Sequence, residues 1–260
     1  MVSKPTFPPL TKPQKVYVIL MHCVGAGLLD AAINFGIATA MYRPAAITSP
    51  DATRLWALPN SLAGDAVVTV LVQQTLTWFL DGALTRKDLR KGAVAPWPYA
   101  LPEKGVLGWI CGESLDVFGP APVGREGVVG RVKLVVGLLL RGFVTALMFV
   151  IPAWCIGVGL LIAFWPAVRS GAPVSGWPGP QIFKALYTFF LGAVTTPFST
   201  LVAMAQAAKE KRLAYSAEGD DPNPPFELLS DNASSVQSSV VEDSRNGVPQ
   251  SSAASASGIV

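Results

Sequence analysis

Charge is scarce in this chain. Only 14% of the 260 residues are Asp, Glu, Lys or Arg, against about 25% in ordinary soluble domains. Histidine is scarcer: there is one, His22. A single imidazole rules out a His-rich metal site, and no Ser/His/Asp or Cys/His arrangement can be built without it. Three cysteines cannot make a disulfide framework. Cys23 and Cys155 sit in apolar runs, where a thiol packs as a small hydrophobe; Cys111 falls in a loop open to lipidation. Gly124, Gly127 and Gly130 lack the Gly-Lys-Ser/Thr ending of a phosphate loop and follow no strand, so nucleotide-binding folds are not indicated. No cofactor and no nucleic-acid partner is implied.

Apolar residues are abundant, at 51%, with a mean hydropathy of +0.43. Four runs are long and apolar enough for membrane spans: 16–41, 61–80, 142–165 and 182–205. The fold class expected is all-α, an integral membrane four-helix bundle. The first run is too long for a signal peptide and has no small-residue cleavage site after it. It is expected to stay as an anchor behind a cytoplasmic leader, 1–15.

Basic residues flank these runs unevenly. Thirteen Lys and Arg border one face, from Lys4 to Arg212, and Arg43, Arg54 and Arg169 border the other. Lys and Arg mark the cytoplasmic side, so both termini and the middle loop, 81–133, are expected to be cytoplasmic. The membrane itself, endomembrane or plasma membrane, is left open. Within the loop, Gly105–Phe118 is a candidate interfacial helix and the rest reads as a flexible linker. Residues 213–260 carry seven acidic residues and one basic, a net of −6. They are rich in Ser, Ala, Pro and Asn and read as a disordered tail.

Polar residues inside the runs follow a period of four, which keeps them near one helical face. The second run gives Ser61, Asp65, Thr69, Gln73, Thr77 and Asp81, with Gln74 beside the stripe. The first gives His22, Asp30 and Asn34. The fourth gives Lys184, Thr188, Gly192, Thr196 and Thr200. The expected polar seam therefore comprises His22, Asp30, Asn34, Asp65, Thr69, Gln73, Thr77, Thr188, Thr196 and Thr200, with Asp30 and Asn34 facing the second or fourth helix. The third run has no such stripe and is expected to be the most lipid-facing. Arg141 at its start is expected to snorkel to the interface. Pro152 and Pro197 fall inside the third and fourth runs.

Two functional readings share the seam. Polar groups bond helices together inside a bilayer, which favours a non-enzymatic bundle that assembles with itself or a membrane-protein partner among membrane lipids. Intramembrane ionisable residues also mark ion or substrate routes, which favours a small-solute or proton-coupled transporter working as an oligomer. A lipid-acting enzyme is a third reading, with Glu103, Glu113, Asp116 and Glu126 of the middle loop as its carboxylates.

The stretches INFGIATAMYR, LWALPNSLAGDAVVTVLVQQTLTWF, WPGPQIFKALY and GAVTTPFSTLVAMA resemble a family of uncharacterised fungal multi-span membrane proteins, over about residues 16–205. The resemblance implies a fungal membrane protein. It implies no activity, cofactor or catalytic residue.

Overall fold

The computed structural model describes residues 9–42, 52–56, 61–112, 127–174 and 177–217. They form five helices: α1 (Lys12–Met41), α2 (Leu62–Arg90), α3 (Gly105–Cys111), α4 (Gly127–Phe164) and α5 (Gly179–Ala217), with a 3-10 turn at Pro166–Ser170. No strand is present among the described residues. All except the seven-residue α3 are long and apolar enough to cross a membrane.

The helices outrun the expected spans. Hydropathy registers only the apolar stretch, whereas hydrogen bonding carries a helix on through polar residues of good propensity. Thus α2 continues past Leu80 to Arg90, and α4 begins at Gly127, where φ is +83°. Start signals are local. Thr11 and Gln14 form a reciprocal capping box on α1, and the Ser61 hydroxyl accepts from the Gly64 amide at 3.2 Å to cap α2. Within α1, Tyr17–Gly25 is wound as a π-helix. Helices α4 and α5 run on through Pro152 and Pro197.

Helix α5 is the hub. It packs against α1 on one side and α2 on the other, while α4 lies along α2 and barely touches α5. Of the most apolar stretch of α5, 61% is buried; for α4 the share is 28% and for α1 it is 17%. The most exposed helix is therefore α1, not α4. The expectation failed because it equated burial with a polar stripe. Helix α4 buries a stripe of Gly130, Leu134, Leu138, Gly142 and Ala146 instead. Small residues bring backbones together without polar groups. A Cβ on Gly142 would stand 2.8 Å from the Thr75 carbonyl.

The flexible-linker expectation is also overturned for the described part of the middle loop. The Trp97 amide donates to the Met204 carbonyl at 3.2 Å, and the Gln206 amide side chain to the Cys111 carbonyl at 2.8 Å. From α1, the Gln14 side chain reaches the Ala95 and Pro96 carbonyls at 3.0 and 3.1 Å. Residues 94–111 thus wrap the end of α5, where Val202 to Ala208 are buried all round. Helix α3 holds Ile110 and Cys111 inward and leaves Val106, Leu107 and Trp109 exposed. The Arg141 guanidinium sits 5.0 Å from the Trp109 ring centre, a cation–π contact. Cys111 is buried and burial pushes its thiol pKa up, which removes the ready nucleophile that lipidation needs. At the opposite end Leu55, Leu62, Ala63, Val158, Leu161 and Val168 form an apolar plug, and the Trp154 indole donates to the Ala63 carbonyl at 2.9 Å. The expected tail, beyond residue 217, and residues 113–118 of the expected interfacial helix lie outside the described residues.

Candidate functional site

The seam is built in layers. Helix rise is about 1.5 Å per residue, so Asp65, Gln73 and Asp81, eight residues apart on α2, stand about 12 Å apart along its axis. Each anchors one layer between α1, α2 and α5.

In the layer nearest the 42–60 loop, the Lys184 ammonium of α5 donates to Asp65 Oδ1 at 2.8 Å. In the middle layer the Gln73 amide nitrogen donates to Asp30 Oδ2 at 2.7 Å and to the Thr188 carbonyl at 3.1 Å, so one side chain ties all three helices. Gly192 of α5 lies directly against the Asp30 carboxylate. The layer toward the chain termini is the richest. His22 Nδ1 lies 2.5 Å from Asp81 Oδ1, and Asp81 Oδ2 accepts from the Ser199 hydroxyl at 2.6 Å and the Thr200 hydroxyl at 2.8 Å. Beyond it, the Tyr17 hydroxyl donates to Asp88 at 2.8 Å and Arg86 pairs with Glu210.

Of the ten seam residues expected, His22, Asp30, Asp65, Gln73, Thr188 and Thr200 come together in these bonds. Asn34 turns back on its own helix, donating to the Asp30 carbonyl at 3.0 Å, because a local bond satisfies its amide without a partner helix. Thr69 is buried and Thr77 half-buried, and neither joins the bonds. Thr196 is buried, its carbonyl accepting from Ser199 and Thr200 while its hydroxyl has no partner. Three members were left out of that set: Asp81, Ser199 and Lys184. Asp81 and Lys184 lie on the period-four stripes, at the ends where a carboxylate or ammonium reads as an interface residue. Ser199 lies one residue off the stripe and gave no signal.

Glu103, offered for an enzyme on the middle loop, pairs with Lys209 at 3.1 Å; Glu113, Asp116 and Glu126 lie outside the described residues. Among the described residues no three His, Cys, Asp or Glu side chains converge as metal ligands.

Residues 124–204 match the family described as "Protein of unknown function (DUF2456)". That stretch holds α4 and the seam residues of α5. The chain is 32% identical over 197 residues to an uncharacterized protein of Schizosaccharomyces pombe, a match covering 74% of this chain and 37% of the relative. It therefore spans little more than a third of that protein's length. It is 21% identical over 255 residues to an uncharacterized protein of Saccharomyces cerevisiae, covering 76% of this chain and 80% of the other. No solved structure matches. The likeness to uncharacterised fungal proteins is thus shown.

Proposed function

We propose that this chain, similar to uncharacterised fungal proteins, is a multi-pass membrane protein whose bundle acts by assembly rather than catalysis. The observation that carries the reading is the inverted amphipathicity of α2. Val68, Val72, Leu76, Leu80 and Leu84 form an exposed stripe, while Gln73, Gln74, Asp81 and Thr85 are buried. In water that arrangement would expose the hydrophobic surface and desolvate the polar one. In a bilayer both choices are favourable. The seam carboxylates are matched by donors of the same bundle, which fits a device that fixes helix register. Both termini and the basic ends of α2 and α5 are placed on the cytoplasmic side.

Cysteine labelling in a background lacking Cys23, Cys111 and Cys155 tests the placement. Trp56→Cys, at a half-exposed position, should react with an impermeant reagent from outside sealed vesicles, and Lys209→Cys only after permeabilisation. Equal reactivity from one side would sink the membrane reading.

Helix α1 supplies the surface for assembly. Ala32, Gly36 and Ala40 are exposed at four-residue spacing, and a Cβ at Gly36 would meet nothing within 4 Å. Small residues so spaced allow close helix contact in lipid. Gly36→Cys should give a disulfide-linked dimer under mild oxidation, and Gly36→Leu should shift the native particle to a smaller size. If neither changes, α1 is a lipid-facing helix only.

A further inference from the structure

The seam buries polar atoms that the protein's own bonds leave unmatched. His22 Nε2, Gln73 Oε1 and Thr196 Oγ1 have no partner, in residues 6%, 7% and 1% exposed. Other buried atoms of the bundle, on Gln74, Trp78, Thr85 and Gln181, are unmatched as well, but a cost of about 1–3 kcal/mol for each makes the three nearest the seam carboxylates the ones to explain. They fall between and beside the carboxylates Asp81 and Asp30. His22 also sits in the π-helical turn of α1, a winding that is rare and recurs at functional sites.

We propose that the seam is a proton relay, with His22 Nε2 as its loading atom and Asp81, Asp30 and Asp65 as successive acceptors. It rests on the bilayer placement above and goes beyond the assembly reading. In the resting relay Asp81 Oδ1 is the acceptor and His22 Nδ1 carries the proton that faces it. That leaves the buried, unmatched Nε2 lone pair to take a proton when water reaches it from the side where α1 begins and α5 ends. The Nδ1 proton then passes to Asp81 Oδ1, leaving the ring neutral with its proton on Nε2; that proton returns to water as Nδ1 is reprotonated, which restores the starting tautomer. Ser199 and Thr200 hold Asp81 Oδ2 throughout, which keeps Oδ1 aimed at the ring. Beside His22 stands the Tyr17 ring, 4.6 Å away, its hydroxyl bonded to Asp88. Asp81 is about 12 Å along α2 from the Gln73–Asp30 layer, so water carries the next hand-over, past the Thr196 hydroxyl. A second water hand-over, again of about 12 Å along α2, takes the proton from Asp30 to Asp65, beside Lys184, which delivers it to the other side. Each step moves one proton and no electrons.

The full chain, purified without a histidine tag, is reconstituted in vesicles holding a pH-sensitive dye, under an imposed potential. Dye response should exceed that of protein-free vesicles. His22→Gln and Asp30→Asn should each lower the rate at least about 10-fold, a modest loss for a positioned proton carrier, and Thr77→Ala should leave it unchanged. No response from protein shown by the labelling above to be correctly inserted overturns the relay while the membrane placement stands. Wrong labelling overturns the placement instead. Because His22 is the only histidine, its 15N spectrum is unambiguous. It should show Nδ1 protonated and Nε2 in exchange with water; a ring locked against exchange also overturns the relay.

Discussion

Asp81→Leu should be the most damaging single change in the seam, lowering stability in detergent by about 1–3 kcal/mol, as expected when a buried donor is left unmatched. Asp81 is 8% exposed and takes donors from α1 and α5 at once. Ser199 and Thr200 would keep bonds to the Thr196 carbonyl at 2.9 and 3.1 Å, so the loss concentrates on His22, whose Nδ1 would have no acceptor. Asp81→Asn retains an oxygen there and should cost less, on the order of 1 kcal/mol. The double variant His22→Leu with Asp81→Leu should be milder than Asp81→Leu alone, since an apolar pair leaves nothing unmatched. Unfolding titrations of the unchanged protein, His22→Leu, Asp81→Leu and the double variant make a double-mutant cycle. A purely additive cycle would mean that the His22–Asp81 contact contributes nothing.

Gly192→Val should break the middle layer. A Cβ at Gly192 would overlap the Asp30 carboxylate and come 3.4 Å from the Gly27 backbone, where α1 and α5 approach closely. Overpacking of a close contact costs about 1–3 kcal/mol, and displacing Asp30 also removes its bond from Gln73. Asp30→Ala should restore part of the stability lost in Gly192→Ala, because it vacates the space that the new methyl needs. No restoration would place the cost in the backbone approach at Gly27 rather than at the carboxylate. Gly159→Ala, on α4 where a Cβ would meet nothing within 4 Å, should be neutral or slightly stabilising through its helix propensity, so the contrast reads contact rather than glycine chemistry.

The sequence by itself determined the helical class, the number of long apolar helices and the polar stripes. All three follow from local geometry: a helix repeats about every 3.6 residues, so a period of four in Asp65, Gln73 and Asp81 puts them near one face whatever surrounds it. Only the tertiary structure decided which stripes meet. His22 pairs with Asp81, 59 residues away, and Lys184 with Asp65, 119 away. Those pairings depend on how far each helix slides and turns against its neighbours. Close approaches such as Gly192 on Asp30 and Gly142 on Thr75 set that register, and no single helix carries it. The same cause hid the side of α4: its contact face is made of small and aliphatic residues, which look alike in a sequence whether they touch lipid or another helix. The wrapped loop was hidden because a Gly- and Pro-rich stretch has no period of its own. Its order comes from carbonyls that Gln14 reaches from α1 and from backbone groups that Met204 and Gln206 of α5 meet across the fold.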